Sequence, residues 1–362
     1  MKIAVQIHGS TNHGCWSPTR GEGRWAQNAI AILGAAGHDV LAYGCLDGRN
    51  DGWGTCPRIP NVELVDWSKL AGTKRKVDIL FDAACWQDKP QPLDYDWLLR
   101  GYFSFDASAI NDRWAPNEVL VYPYAHAKES LDVPANPHRN RMHYLTYPVL
   151  PLEWWSRFSS SPLSEPVGDR AFLLWASKTM FGGGGTVLPA AWIEQADTIL
   201  SWSHEQAMKE KHVVFLGEEY LRPGYSPDVD RLRVPYRVRN MPNAAVMSLV
   251  PYGHVLAYMH QSSLLLSSPV WGSVVLESVF EGCCPLVWDN MPPLVEAAKK
   301  HHVLLDADKF DRAHLLGVLD VLQHDVEFRT RVVADYREAL EDRSAATFLR
   351  HWADLTKALG YQ

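Results

Sequence analysis

The sequence predicts an α/β protein made of two successive parallel-sheet domains that face a cleft. Three observations predict it. The chain has 362 residues, 47% of them apolar, which exceeds one small domain and suffices for two sizeable cores. Short apolar runs of strand length alternate with stretches of helical spacing along most of its length. Glycine and proline punctuate those stretches where helices must stop, as at Gly37, Gly282 and Pro285.

Taken in order, Ile3, Val5 and Ile7 make residues 2–8 a first parallel strand. A loop over residues 9–23 carries Gly9, Gly14, Gly21 and Gly23. Trp25, Ala29, Ile32 and Leu33 share one face of a helix over 24–36, and residues 38–43 form the second strand. The loop is not Gly-x-Gly-x-x-Gly, so the dinucleotide fingerprint is absent. Further strands are expected at 62–65, 79–81 and 119–122, before a segment rich in Pro, Arg and Tyr over 135–151. A Ser/Pro linker at 159–166 separates the halves. The second series runs strand 171–176, helix 189–202, strand 213–216, strand 244–250 and helix 252–259. Residues 328–359 have helical spacing throughout and read as two helices. The expected domains are 1–165 and 166–335, with 336–362 a helical segment crossing back to the first.

The most informative stretch is 262–285. Leu264, Leu265 and Leu266 read as a buried strand and residues 267–272 as a polar loop. Val274, Val275, Val279 and Phe280 surround Glu277 on a helix that Gly282 ends, and residues 286–288 start another strand. A strand, a loop, a helix start and a first-turn carboxylate together suit a nucleotide: anionic groups sit at the helix start, and the carboxylate accepts from ribose hydroxyls. The other reading is an ordinary βαβ unit with a solvated Glu277.

Composition narrows the function. A net charge of −7 argues against wrapping a nucleic-acid backbone over a large surface. Residues 220–240 carry Arg222, Arg231, Arg233, Arg237 and Arg239 among tyrosines. They read as a solvated basic loop or as a grip for a diphosphate, an anionic acceptor or a single nucleic-acid strand. Fifteen tryptophans give weak support for sugar binding. The six cysteines lack metal-type spacing, and no signal-peptide or membrane-spanning run is read, so a reduced cytoplasm is the expected compartment. Asp94-Tyr95-Asp96, Asp228-Val229-Asp230 and Asp306-Ala307-Asp308 resemble metal-binding pairs. None follows a convincing buried strand of the first domain, and no metal is expected. Neither a Gly-x-Ser-x-Gly elbow nor a Walker loop occurs.

Three places resemble the GT-B glycosyltransferases, in particular the large retaining family 4. The first is Gly21-Glu22-Gly23-Arg24, with Leu33 and then Ala36-Gly37-His38-Asp39-Val40. The second is the 252–259 helix before Ser263 to Leu266. The third and most specific is Trp271-Gly272-Ser273-Val274-Val275-Leu276-Glu277-Ser278 with Gly282 and Pro285. The resemblance implies two Rossmann-like domains facing a cleft, and a metal-independent enzyme without a cofactor. That enzyme would move a hexose, by default glucose from UDP-glucose, to an acceptor hydroxyl with retention. It implies donor contacts from Glu277 (ribose), Gly9, Gly183, Gly184, Trp271, Gly272, Ser273 and Val274. Lys178 would steady the diphosphate, with Arg237 and Arg239 as secondary candidates. His126 would contact the donor sugar, and His8, Asn12 and His13 an acceptor whose identity stays open (small molecule, glycan, lipid carrier or modified nucleobase). Two departures matter. Pro269 stands where the family has a sugar-binding glutamate, and residues 181–185, a phenylalanine and four glycines, stand where a second cation belongs. Those glycines are either a backbone cradle for phosphate or a plain loop. The departures motivate a rival reading, a nucleotide-sugar binding protein with a degraded transferase site. A GT-B epimerase or phosphorylase is a third possibility, for which no residues are placed.

Overall fold

The computed structural model describes residues 1–7, 21–44, 59–70, 73–83, 93–102, 110, 115–158, 172–176, 188–217, 224, 227–247, 252–267, 269 and 272–361. The chain divides into two compact units. Unit 1 comprises Met1–Leu150, Arg157–Ser161 and Asp342–Gln362; unit 2 comprises Pro151–Ser156 and Pro162–Glu341.

Unit 1 contains β1 (Lys2–Ile7), α1 (Gly21–Ala35), β2 (Asp39–Gly44), β3 (Val62–Asp66), α2 (Trp67–Leu70), β4 (Lys76–Asp82), β5 (Asp94–Gly101), β6 (Glu118–Tyr122), α3 (Ala127–Leu131) and β7 (Met142–Tyr144). Its seven strands lie in the order β3-β2-β1-β4-β5-β6-β7, and all are parallel. Every residue of β1 after Lys2 is buried, as a central parallel strand covered on both faces requires. On one side α1 packs Trp25 edge-on against Phe81 of β4, with ring centroids 5.0 Å apart. Helix α1 ends in a Schellman motif: His38 N–H donates to Leu33 C=O (3.1 Å), Gly37 N–H to Gly34 C=O (3.1 Å), and Gly37 takes φ 91°.

Unit 2 contains α4 (Leu152–Ser156), β8 (Phe172–Ala176), α5 (Ala190–Met208), β9 (His212–Leu216), α6 (Pro227–Arg231), α7 (Val234–Arg239), β10 (Ala244–Met247), α8 (Tyr252–Gln261), β11 (Ser262–Leu266), α9 (Ser273–Glu281), β12 (Cys284–Pro285), β13 (Val287–Trp288), α10 (Pro292–Lys300), β14 (Leu304–Leu305), α11 (Arg312–His324) and α12 (Val326–Ala339). Five parallel strands run β10-β9-β8-β11-β12, and β13 pairs with β14 separately. The last helix, α13 (Ala345–Ala358), rejoins unit 1, lies against α1 and buries Phe348, Trp352 and Leu355.

The structure corrects three expectations. Residues 227–239 are mostly two short helices rather than a basic loop, because Val229, Val234 and Val238 bury one face. The strand expected to start at 286–288 is β13, and the preceding Cys284–Pro285 pair, read as following the helix stop, forms a separate strand, β12. Residues 94–101, read only for Asp94 and Asp96, form β5, paired with β4 and β6.

Candidate functional site

In an open parallel sheet, ligands bind beyond the carboxyl ends of the two strands from which the chain winds in opposite directions. In unit 2 those strands are β8 and β11: β9 and β10 lie on one side, β12 on the other. Strand β11 is wholly buried and leads to Ser267, whose side chain is buried with an Oγ that has no hydrogen-bond partner among the described residues. Pro269 follows, also buried, its carbonyl held at 2.7 Å by Asn290 Nδ2. Gly272 then caps α9 with extended backbone (φ −167°), and a Cβ there would meet nothing within 4 Å among the described residues. The helix therefore begins at the switch point with its positive dipole end at the strand's carboxyl edge.

Glu277 is the fifth residue of α9, one turn deeper than expected, and is 0% exposed. It is not the solvated carboxylate of an ordinary surface helix. Its Oε1 accepts a hydrogen bond from Tyr252 Oη at 3.1 Å. Tyr252 opens α8, is itself buried, and stands edge-on to Trp155 of α4 at 6.4 Å. A carboxylate out of water needs donors, and a tyrosine fixed by aromatic packing supplies one without adding charge. One turn on, Glu281 is buried too. It accepts the backbone N–H of Leu152 at 2.6 Å, with His260 Nδ1 3.3 Å from its other oxygen. Arg337 of α12 donates to the carbonyls of Val279 (3.0 Å) and Phe280 (2.9 Å), placing a cation at the negative end of α9. The C-terminus closes on Gly282 at φ 76°, with Cys283 N–H on Ser278 C=O at 2.8 Å.

Of the expected donor residues, Gly272, Ser273 and Val274 are thus at the start of α9 and Glu277 is one turn further along it. Lys178, Gly183, Gly184, Trp271, His8, Gly9, Asn12 and His13 lie outside the described residues. Arg237 is tied to α5 by Asp197 and by Ser201 Oγ (2.8 Å), so its guanidinium is already engaged. The Asp-x-Asp pairs have structural partners: Asp96 meets Lys76 Nζ at 2.7 Å, Asp228 accepts from Leu188 N–H at 3.0 Å, and Asp306 accepts from Asp308 N–H at 2.9 Å. Among the described residues, no group of three or more His, Cys, Asp or Glu side chains is placed to hold a metal.

In unit 1, His126 follows β6 by four residues and caps α3. Its ring is half-buried and stacks on Tyr124 with centroids 5.5 Å apart and planes 18° from parallel. Burial, and then the nearby Arg343 guanidinium, hold its pKa below the usual 6.5. It is a neutral imidazole at pH 7, suited to hydrogen bonding rather than to charge.

Sequence reasoning missed Tyr252, Glu281 and Ser267. Glu281 lies four residues after Glu277, one helical turn, which was the available signal; nothing local linked Tyr252 to Glu277.

No protein-family model and no curated protein sequence matches the chain. Solved structures do. Sucrose-phosphate synthase from Thermosynechococcus elongatus superposes with a TM-score of 0.60 at 11% identity, over 99% of this chain and 98% of that one. Anabaena HepE in complex with UDP-glucose gives 0.59 at 11% identity, over 99% and 100%. A glycosyltransferase from Rickettsia africae gives 0.56 at 11% identity, over 100% and 99%. The chain therefore has the fold of the GT-B glycosyltransferases, along its whole length. Among the described residues no helix is long and apolar enough to cross a membrane.

Proposed function

We propose that the protein is a glycosyltransferase that takes a hexose from a nucleotide-diphosphate sugar and passes it to an acceptor hydroxyl. The observation that carries this is Glu277, fully buried, fixed by Tyr252 and seated on the helix that starts at the switch point of unit 2. The donor's ribose hydroxyls bind this carboxylate and its diphosphate lies against the start of α9. Lys178, two residues beyond β8, is the cation for the departing diphosphate. The family resemblance assigns the sugar contact to His126, a neutral hydrogen-bonding partner. The acceptor oxygen attacks on the face the phosphate leaves, and the phosphate oxygen takes its proton, so the anomeric configuration is retained without a metal. The protein's share is position and charge stabilisation. UDP-glucose, bound in one structure of the same fold, is the default donor, and the cytoplasm the proposed compartment.

Thermal shift against nucleoside diphosphates and their sugars tests the binding. A ligand at about 100 times its dissociation constant adds about 2.7 kcal/mol of stability. UDP-glucose is expected to raise Tm in the wild type and far less in Glu277→Gln, with Tyr252→Phe between them. Equal shifts in wild type and Glu277→Gln would overturn the site. Pro269 favours a second reading, a binding protein that does not turn over. A buried proline offers no carboxylate to the sugar, and its carbonyl is taken by Asn290. Donor binding without UDP release, whatever acceptor is supplied, would establish that reading instead.

A further inference from the structure

Taking His126 as a sugar contact, a role that rests on the function proposed above, the structure shows what holds it. Strand β6 reaches His126 through Pro123, Tyr124 and Ala125. The segment that returns from unit 2 begins at Asp342, and its second residue, Arg343, is only 2% exposed. Arg343 Nη1 donates to Pro123 C=O at 2.6 Å and to Thr146 Oγ1 at 3.3 Å, and its Nε lies 3.0 Å from Asp342 Oδ1. Its Cζ stands 5.3 Å from the centroid of the Tyr124 ring. That same ring stacks on the His126 imidazole and on Tyr147, at 5.5 and 6.4 Å.

The returning segment is itself latched. Tyr144 Oη donates to Asp342 Oδ2 at 2.8 Å, Thr146 Oγ1 to Asp342 C=O at 3.0 Å, and Val149 N–H to Arg343 C=O at 2.8 Å. Arg343 thus joins three things: the backbone exit of β6, the tyrosine beside the imidazole, and the start of the C-terminal helix. A planar, permanently charged fork suits this, holding a carbonyl with one nitrogen and covering a ring with its face; an ammonium does not.

We propose that Arg343 is a positioning residue for His126, acting through Tyr124. It fixes the plane of the tyrosine and thereby the plane of the imidazole. A latch that served only to attach α13 would leave the geometry of His126 indifferent to Arg343.

Four variants of the full chain test this: Arg343→Met, Arg343→Lys, Tyr124→Leu and His126→Asn. The first readout needs no activity. The His126 ring C–H resonances, displaced by the stacked Tyr124 ring, are followed by NMR. Tyr124→Leu is expected to move them, Arg343→Met to move them in the same direction, and Arg343→Lys to restore them in part. The second readout is UDP released from UDP-glucose. Arg343→Met and Tyr124→Leu are each expected to lower kcat about tenfold or more with KM little changed, a displacement effect. Should Arg343→Met fail to fold, Tyr124→Leu carries the test, since it leaves the hydrogen bonds of Arg343 in place. Unmoved His126 resonances in Arg343→Met, or in Tyr124→Leu where that variant stands in, would overturn the proposal. So would a retained kcat in the tested variant alongside a lost kcat in His126→Asn, which leaves the role of His126 standing. A wild-type kcat in His126→Asn would remove that role and the proposal with it.

Discussion

The two units share an architecture of parallel strands and covering helices, yet they hold their buried polar groups differently. In unit 2 the central carboxylate, Glu277, meets a hydroxyl at 3.1 Å, and Glu281 meets a backbone N–H at 2.6 Å with His260 Nδ1 3.3 Å from its other oxygen. In unit 1 a buried cation and a buried carboxylate meet each other directly. Arg100 Nε pairs with Glu118 Oε2 at 2.9 Å across β5 and β6, and Arg343 is almost wholly enclosed. Asp82 and Gln6 lie buried side by side on β4 and β1. In unit 2 two carboxylates are buried one turn apart on α9, with a hydroxyl and a backbone N–H among their donors. Unit 1 is a sheet whose interior depends on charge being matched. The lesson is that similar parallel-sheet frames tolerate two kinds of polar interior, and the two fail under different conditions.

The strongest way to break the comparison is to unmatch a charge. Removing one member of a buried ion pair leaves the other uncompensated and costs about 3–5 kcal/mol, whereas replacing both with apolar residues is often neutral. Arg100→Leu is therefore expected to lower the stability of unit 1 by about that amount in urea denaturation, and Arg100→Leu with Glu118→Leu to recover most of it. If the single and double variants melt alike, the pair is not what holds β5 to β6.

Acid separates the units more gently. His38, His126, His143 and His351, all in unit 1, are held below the usual 6.5, in each case first by burial. Each protonates more readily unfolded than folded. Above about pH 6.5 neither state is charged and nothing is lost; as pH falls below 6.5, toward the folded values, protons favour the unfolded chain and unit 1 weakens. In unit 2, Asp335 has the opposite chemistry. Lys300, and then His301, hold its carboxyl below the usual 3.8, so its contribution is present above that value and lost as pH falls through the folded one. Unit 1 should lose stability in the window just below pH 6.5, while Asp335 keeps its contribution until far more acid conditions. Amide hydrogen exchange across that range, resolved by segment, checks it. His143→Leu, where burial alone causes the shift, should flatten the dependence in unit 1.

Which of these features could be read from the sequence follows from how far apart their parts lie. Glu277 was legible because everything that places it is local: a strand, a loop, an apolar helical period and Gly282 as a stop, all between 262 and 285. Its donor Tyr252 was not, because the two are 25 residues apart and meet only once β11 has placed α8 beside α9. Arg343 bonds to residues 197 and 220 positions away, a distance over which periodicity carries no information. Strand β5 was obscured by its own chemistry. Asp94 and Asp96 suggest a turn or a metal pair, whereas Lys76 of the neighbouring strand neutralises Asp96 at the half-exposed start of a strand buried only from Leu98 onward.

The smallest expected effect on stability is the sharpest test of where unit 2 receives a ligand. Gly272 has extended backbone that any residue adopts, and a methyl there would meet nothing within 4 Å among the described residues. Gly34 of unit 1 is the contrast, since a methyl there would come within 2.5 Å of Val62 Cγ2 and 2.7 Å of Pro60 C=O; that glycine exists for packing. Packing does not explain Gly272. Gly272→Ala should change folding stability by no more than about 0.5 kcal/mol, as at an unconstrained surface site. If a diphosphate or ribose approaches the start of α9, the same methyl should shrink the rise in Tm produced by UDP, because close approach to backbone N–H groups leaves no room for a side chain. An unchanged UDP response with unchanged stability would mean that the nucleotide avoids this helix start, and that the burial of Glu277 serves the core alone.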